Sequence, residues 1–173
     1  IGRWLEAAWR AMGRPAVWHA VEVGGGDGAL AHWALERIQA EAPQFARALR
    51  WVMIEPSRPL RLRRQAILEA RVEWADSLEE VEDRAIHGCI LSNELLDAFP
   101  VHRVMMRRGK LVELYVDAAP EGFREVDGEP STPRLSAYLE EAGLRLPEGV
   151  RAEVCLGAPD WIEGAARALR RGF

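Results

Sequence analysis

A glycine-rich loop between an apolar run and a helix is the feature that most constrains the fold of this chain. Val17 to Val23 is a mostly apolar, β-branched run that ends directly at the segment Gly24–Gly28. From Ala29 to Ala42, apolar residues recur at helical spacing. The pattern predicts a strand, a tight turn and a helix. Glycine alone lets a backbone turn sharply while it approaches a ligand closely, so the turn is a candidate binding loop.

Further apolar runs follow the loop and are separated by helical stretches. The predicted strands are Trp51 to Ile54, Val72 to Ala75, and Ile86 to Leu91. One predicted helix runs from about Arg58 to Ala70. A short acidic helix is predicted directly after Asp76-Ser77. Strands that are apolar throughout are typical of a parallel sheet covered on both faces. The sequence therefore predicts a Rossmann-like α/β fold with a mostly parallel sheet and helices on both faces.

The second half of the chain has a different pattern. Val101 to Val116 contains two β-rich runs around Arg108-Gly109-Lys110, which predicts an antiparallel hairpin that extends the sheet. Residues 118–148 are rich in Pro, Gly and charge with one helix at Leu135 to Ala142, so we interpret them as a surface insertion. A final strand, Ala152 to Leu156, and a helix from about Asp160 to Arg171 are expected to resume the parallel pattern.

The length of 173 residues predicts a single domain over residues 1–173. The chain begins at Ile1 inside an apparent helix and stops at Phe173, where a new strand is expected. We therefore expect a fragment of a longer protein.

Composition excludes several classes of function. The chain has 23 basic and 27 acidic residues, a net charge of −4, and no long basic block, which disfavours nucleic-acid binding. It has no apolar run of the roughly 18 to 20 residues that a membrane span needs, and no signal peptide, so we expect a soluble intracellular protein. Cys89 and Cys155 lie in apolar runs without metal-ligand spacing, and we interpret both as buried reduced thiols.

The choice of cofactor depends on the acids around the loop. Gly24, Gly26 and Ala29 also fit the dinucleotide fingerprint, in which a helix N-terminus receives a pyrophosphate. Glu22 favours S-adenosylmethionine over a dinucleotide, because an acid at the strand end repels a pyrophosphate but attracts the ammonium and sulfonium groups of S-adenosylmethionine. The residues predicted to bind this cofactor are Glu22, Gly24, Gly26, Gly28, Glu55 for the ribose hydroxyls, and Asp76 and Ser77 for the adenine.

Polar residues after the fourth strand form the candidate reacting end. They are Asn93, Glu94 and Asp97, in the segment from Ser92 to Val101. Methyl transfer from a sulfonium mainly requires that the nucleophile be positioned, so no metal is expected. If the nucleophile is an arginine guanidinium, Glu94 and Asp97 are able to hold it through paired hydrogen bonds. The alternative is that Asp97 caps a helix or bonds the backbone in the turn.

The histidines and a cluster of arginines are weaker candidates for functional residues. His19, His32, His87 and His102 have no ligand spacing and are interpreted as core or surface residues. The cluster Arg58, Arg61, Arg63 and Arg64 is interpreted as a solvated helix face, with partner binding as the alternative.

Two motifs resemble a known family, the MidA-like S-adenosylmethionine-dependent methyltransferases (the DUF185 group). Residues 22–30, EVGGGDGAL, are similar to the family loop ELGPGRGTL, with Gly25, Asp27 and Ala29 as departures. Residues 93–102, NELLDAFPVH, are similar to the signature NEFFDALPVH. Supporting matches are Glu55-Pro56-Ser57, Leu60-Arg61, Gln65, the Trp74 to Leu78 segment and Trp161.

The resemblance implies an activity and a substrate. Mitochondrial members methylate an arginine of a respiratory complex I subunit and act in its assembly, so a protein arginine is the implied substrate. The implied location is the mitochondrial matrix for a eukaryotic source and the cytoplasm for a bacterial one. Two alternatives stay open at this point: an assembly or scaffold protein that keeps the fold without catalysis, and a nicotinamide-dependent oxidoreductase, against which Glu22 argues.

Overall fold

The computed structural model describes residues 1–68, 71–82 and 86–173. The chain divides into two compact units, one made of residues 1–97 and 162–173 and the other of residues 98–161. A single domain over residues 1–173, with an insertion at about 118–148, stays a prediction.

The described residues of the first unit form a parallel sheet of five strands with connecting helices. In chain order the elements are α1 (Gly2–Ala11), β1 (Trp18–Val23), α2 (Ala29–Glu41), α3 (Pro43–Ala48), β2 (Leu49–Ile54), α4 (Arg58–Leu68), β3 (Glu73–Ala75), α5 (Leu78–Glu82), β4 (Ile86–Ser92), a 3₁₀ turn (Leu96–Ala98), the end of α7 (Gly157–Ala168) and β9 (Leu169–Gly172). The strand order is β3-β2-β1-β4-β9, and neighbouring strands run parallel. The predicted fold class is confirmed. The predicted end of α4 at Ala70 lies outside the described residues.

Alternation along the strands builds a core on each face of this sheet. Trp18 of β1 and Trp51 of β2 belong to one buried cluster with Leu5 of α1, Ile38 of α2 and Phe45 of α3. Burial of side chains of this size stabilises the fold by about 1.5–3 kcal/mol each.

The opposite face of the sheet is buried as well. Val21 and Val52 alternate with the residues of that cluster and are fully buried. Val81 of α5 and Ala168 of α7 are also buried, and a Cβ at Gly164 of α7 would lie 3.9 Å from Leu78 of α5. Cover on both faces explains why the strands are apolar throughout.

The strand order creates a topological switch point next to β1. The chain proceeds from β1 to β2 and β3 on one side and then crosses to β4 on the other. Val23 is level with Ile54 of β2 and with Ser92 of β4, and Ile54 is level with Ala75 of β3. The residues that follow these four positions therefore emerge at one edge of the sheet, where α/β proteins bind ligands.

The described residues of the second unit form an antiparallel sheet. Its elements are β5 (His102–Arg107), β6 (Lys110–Ala119), β7 (Gly122–Gly128), α6 (Arg134–Glu141), β8 (Arg151–Val154) and the start of α7. The strand order is β7-β6-β5-β8. Its core contains Val104, Leu135, Leu139, Val154 and Leu156.

The structure differs from the sequence prediction in three details of strand pairing and helix extent. The predicted hairpin exists, with positive φ at both Arg108 and Gly109, but it belongs to this separate sheet and does not extend the parallel one. The predicted final strand pairs antiparallel with β5 and does not resume the parallel pattern. The parallel strand β9 instead occupies Leu169–Gly172, where a helix to Arg171 was predicted. Hydrophobic periodicity identifies a strand but carries little information about its partner.

Candidate functional site

The glycine loop joins the end of β1 to the start of α2. Gly24 and Gly28 both have positive φ, at +72° and +85°, a conformation that favours glycine. A Cβ at Gly28 would lie 3.2 Å from Leu68 of α4, so the loop also packs closely against that helix. Asp27, which departs from the family loop, accepts a hydrogen bond of 2.9 Å from the backbone N–H of Ala29. Its carboxylate therefore satisfies a free donor at the first turn of α2.

Glu22 lies beneath this loop as a buried acid. Only 2% of the residue is exposed, and its Oε2 accepts a 2.9 Å hydrogen bond from the indole N–H of Trp51. A Cβ at Gly25 would lie 3.0 Å from Glu22 Oε1, so the carboxylate is in contact with the loop. Burial raises the pKa of Glu22 above its ordinary value, while the Trp51 hydrogen bond and the charge of Arg64 act in the opposite direction.

Glu55 follows β2 and has two protein partners. Its Oε1 accepts a 2.8 Å hydrogen bond from the backbone N–H of Ser57, and its Oε2 pairs with the guanidinium of Arg64 on α4. Glu55 and Arg64 are only 6% and 5% exposed. The predicted ribose acid is thus a buried carboxylate held in place by a charge-assisted hydrogen bond.

Asp76 and Ser77 follow β3 and lie at the start of α5. The exposed carboxylate of Asp76 pairs with Arg61, whose guanidinium also donates to the carbonyls of Glu55 at 2.9 Å and Ala75 at 3.1 Å. Ser77 Oγ accepts a 3.4 Å hydrogen bond from the backbone N–H of Glu80. This is the N-cap contact expected of a serine before a helix. The adenine role of both residues stays a prediction.

The second motif follows β4 and lies beside the glycine loop. Its residues Asn93, Glu94 and Asp97 are exposed. A Cβ at Gly24 would lie 3.1 Å from Leu95 Cδ1, so the two motifs are in contact. Glu94 has a φ of +50°, which non-glycine residues rarely adopt and which is often found at functional sites. Their catalytic role, and the alternative for Asp97, stay predictions.

Two arginines that the sequence analysis did not assign lie at this edge of the sheet. The cluster on α4 was interpreted as a solvated helix face, and this is wrong for Arg64, which is buried, and for Arg61, which is partly buried against Trp74. Arg61, Arg64 and Leu68 are three or four residues apart and so share one helix face. This spacing, together with the acids Glu55 and Asp76 that follow two strands, is the sequence pattern that could have predicted paired arginines here.

A cavity of about 360 Å³ adjoins the loop on its α4 side. It is lined by Gly26, Asp27, Leu60, Arg63, Arg64 and Ile67. Arg64 thus lines this cavity and also pairs with the Glu55 carboxylate.

A second polar cluster, which no sequence pattern predicted, lies in the antiparallel unit. Glu113 is 5% exposed and accepts hydrogen bonds from His102 Nδ1 at 2.7 Å, the Ser131 backbone N–H at 2.6 Å and the Tyr115 hydroxyl at 3.0 Å. Burial alone would raise its pKa, but these hydrogen bonds outweigh burial and lower the pKa to about 2. Ser131 Oγ and Glu113 both contact the same nitrogen of His102, so the three do not form a nucleophile-base-acid relay.

The two cysteines are free thiols. Cys89 is buried, as predicted, and burial raises its pKa to about 12, whereas Cys155 is only partly buried. Across residues 1–68, 71–82 and 86–173, no helix is both long and apolar enough to cross a membrane. In the same ranges, the structure contains no group of three or more His, Cys, Asp or Glu residues that could bind a metal ion.

The parallel sheet, its switch point and the glycine loop define the class as Rossmann-like α/β. Over residues 1–173 the chain matches the family described as "Putative S-adenosyl-L-methionine-dependent methyltransferase". The chain belongs to this family, which confirms the membership that the two motifs predicted.

Known relatives agree with this assignment. The chain is 26% identical over 165 residues to the mitochondrial protein arginine methyltransferase NDUFAF7 homolog of Drosophila melanogaster, covering 80% of this chain and 37% of the relative. Two crystal structures from Burkholderia thailandensis are similar to 99% of the chain at 28% identity. One is bound to S-adenosyl-homocysteine, with a TM-score of 0.77 and 43% of its chain covered. The other is a native structure, with a TM-score of 0.79 and 45% covered. The chain thus spans less than half the length of these relatives.

Proposed function

We propose that this chain binds S-adenosylmethionine at the carboxyl ends of β1, β2 and β3 and takes part in transfer of its methyl group. The observation that carries the proposal is the contact between the buried Glu22 carboxylate and Gly25 of the loop. An ionised carboxylate attracts a cation and repels a phosphate, and a cationic ligand offsets the burial that raises the pKa of Glu22. The family's description and the S-adenosyl-homocysteine bound to one relative support the same ligand.

The residues at this edge fit the parts of such a ligand. The glycine loop leaves backbone open for close approach, and Glu22 supplies negative charge for the ammonium and sulfonium groups. Glu55 is the acceptor we propose for the ribose hydroxyls, and Asp76 and Ser77 for the adenine amino group. Arg61 and Arg64 hold the backbone and carboxylates of this edge in place.

We propose that Asn93, Glu94 and Asp97 orient the methyl acceptor. S-adenosylmethionine, when bound, supplies a methyl carbon activated by its sulfonium. What the chain must add is position, because the displacement requires the accepting nitrogen in line with that carbon. Glu94 and Asp97 are carboxylates beside the loop, and carboxylates bind guanidinium groups through two parallel hydrogen bonds.

A protein arginine is the substrate class we propose. It is supported by the name of the fly relative, a protein arginine methyltransferase, and by the resemblance of the second motif. A respiratory complex I subunit as the partner, and a mitochondrial matrix location for a eukaryotic source, are part of this proposal.

Calorimetric titration with S-adenosyl-homocysteine tests the cofactor site. We expect saturable binding by the wild type and much weaker binding by Glu22→Gln, with Glu121→Gln, an exposed turn residue, as the control. Absence of binding at millimolar ligand rejects the proposal.

Transfer of labelled methyl to arginine-containing protein tests the catalytic part. Label on arginine excludes a purely structural scaffold, and we expect Asp97→Asn to reduce transfer without loss of S-adenosyl-homocysteine binding. Binding without transfer to any arginine would favour the scaffold alternative.

A further inference from the structure

We propose that Arg64 is a positioning residue that sets the Glu55 carboxylate for ribose recognition. The inference rests on the proposed cofactor site and adds to it a residue on α4 and the part of the ligand that it controls.

The hydrogen bonds of Glu55 leave acceptor positions on its carboxylate free to bind the two hydroxyls of a ribose. Arg64 Nη1 donates to Oε2, and the Ser57 backbone N–H donates to Oε1 at 2.8 Å. A carboxylate oxygen accepts at two lone-pair positions, so each oxygen keeps one acceptor position. One protein donor on each oxygen fixes the plane of the carboxylate, and the remaining positions match two adjacent hydroxyls.

The side chain of Arg64 connects this carboxylate to the glycine loop. A Cβ at Gly28 would lie 3.8 Å from Arg64 Cγ, so the aliphatic part of Arg64 packs on the loop while its guanidinium pairs with Glu55. Arg64 Nε is buried and finds no acceptor in the described part of the chain. A buried donor without an acceptor is unfavourable, and the pairing of Nη1 with Glu55 is the contact that orients the guanidinium.

A purely stabilising role explains this pair poorly. Buried ion pairs often contribute little to stability, because the charges lose their hydration. Glu55 directly follows β2, at the edge of the sheet where the switch point predicts a ligand, and Arg64 reaches it from α4. Its location therefore favours control of binding geometry.

The experiment compares two ligands across matched variants of the protein. S-adenosyl-homocysteine and its 2′,3′-dideoxy counterpart differ only in the ribose hydroxyls, so the ratio of their dissociation constants reports ribose recognition. We would measure it for the wild type, Arg64→Met, Arg64→Lys, Glu55→Gln and the Glu55→Gln/Arg64→Met double variant. Arg47→Met, an exposed arginine on α3, is the control. Thermal unfolding without ligand identifies variants that fail to fold.

The wild type and Arg47→Met are expected to prefer the ribose ligand by about tenfold or more, because the diol binds a charged acceptor. Arg64→Met is expected to reduce this preference to about threefold or less. Arg64→Lys is expected to be intermediate, because an ammonium keeps the charge without the planar fork. The double variant is expected to match Glu55→Gln, since Arg64 acts through Glu55.

The possible failures are distinguishable. A wild-type preference retained in Arg64→Met, or in Arg64→Lys if the methionine variant does not fold, overturns the inference and leaves the cofactor site standing. Equal wild-type affinity for both ligands overturns the inference and the ribose role of Glu55. A wild type that binds neither ligand overturns the proposed function together with the inference.

Discussion

The indole N–H of Trp51 donates a 2.9 Å hydrogen bond to Glu22 Oε2, and both side chains are buried. The contact joins β2 to β1 directly below the glycine loop. Because burial raises the pKa of Glu22, this donor is one of two features that favour the charged form, the other being the charge of Arg64. The electrostatics of the proposed cofactor site therefore depend on a core tryptophan.

Replacement of that tryptophan should destabilise the charged acid. For Trp51→Phe we expect the free energy of unfolding at pH 7 to fall by about 1–3 kcal/mol, the range for leaving a buried hydrogen-bonding group without its partner. We also expect the pKa of Glu22 to rise further. Urea denaturation and carboxyl-carbon NMR measure the two effects. Trp18→Phe is the matched control, because Trp18 is equally buried but donates to Met12 Sδ. An identical Glu22 titration in both variants would contradict this prediction.

Cofactor binding should strengthen as pH rises. In the free protein burial raises the pKa of Glu22, and a cationic ligand favours the ionised form and so lowers that pKa. Below the raised pKa the ligand must first drive loss of a proton, and above it the carboxylate is already charged. We expect affinity for S-adenosylmethionine to increase through the raised pKa and then level off. Calorimetry between pH 5 and about 8 checks this, and a Glu22→Gln variant with the same pH dependence would refute it.

The sequence predicted the parallel half of the fold and most of the edge that carries the site. Glu22 is the penultimate residue of β1, and Glu55 and Asn93 directly follow β2 and β4. Parallel strands bring their carboxyl ends together at one edge of the sheet. What local pattern could not predict was the partner of each strand in the second unit. The run that contains β8 has the same composition whether its partner is parallel or antiparallel, and only the sheet assigns it to β5.

The arginines of α4 show a second limit of sequence reasoning. A charged residue is expected at the surface because burial of an unpaired charge is unfavourable. Arg64 is buried because Glu55, nine residues earlier, supplies the opposite charge at the end of β2. The pairing depends on which face of α4 packs toward the end of β2, and helical spacing alone does not specify that face.

A side chain at Gly25 should require Met53 to move. A Cβ there would collide with Met53 Cε and lie 3.0 Å from Glu22 Oε1. For Gly25→Ala we expect a loss of about 1 kcal/mol in the free energy of unfolding, the low end of the range for an overpacked site, because the end of a flexible methionine shifts more easily than backbone. In a Met53→Ala background the first collision disappears, so the loss should be smaller. Urea denaturation of the wild type, Gly25→Ala, Met53→Ala and the double variant measures the coupling energy between the two positions. If the losses of the two single variants simply add in the double variant, the collision does not exist.

The acid stability of the second unit should depend on Glu113. Its pKa is about 2 in the folded protein and 4.5 ordinarily, so the folded state binds a proton less readily than the unfolded state. The resulting stability is fully present above about pH 4.5 and is lost as pH falls toward 2. We expect Glu113→Gln to lower the free energy of unfolding at neutral pH by about 1.5–3 kcal/mol, because a charged acceptor of three hydrogen bonds is removed. The difference from the wild type should shrink on acidification, since the protonated wild type also lacks that charge.

Urea denaturation at a series of pH values, monitored by circular dichroism, measures this difference between Glu113→Gln and the wild type. Glu121→Gln, at an exposed hairpin turn, should parallel the wild type throughout. A Glu113→Gln deficit that stays constant from pH 7 to about 2.5 would mean that the carboxylate does not carry this stability.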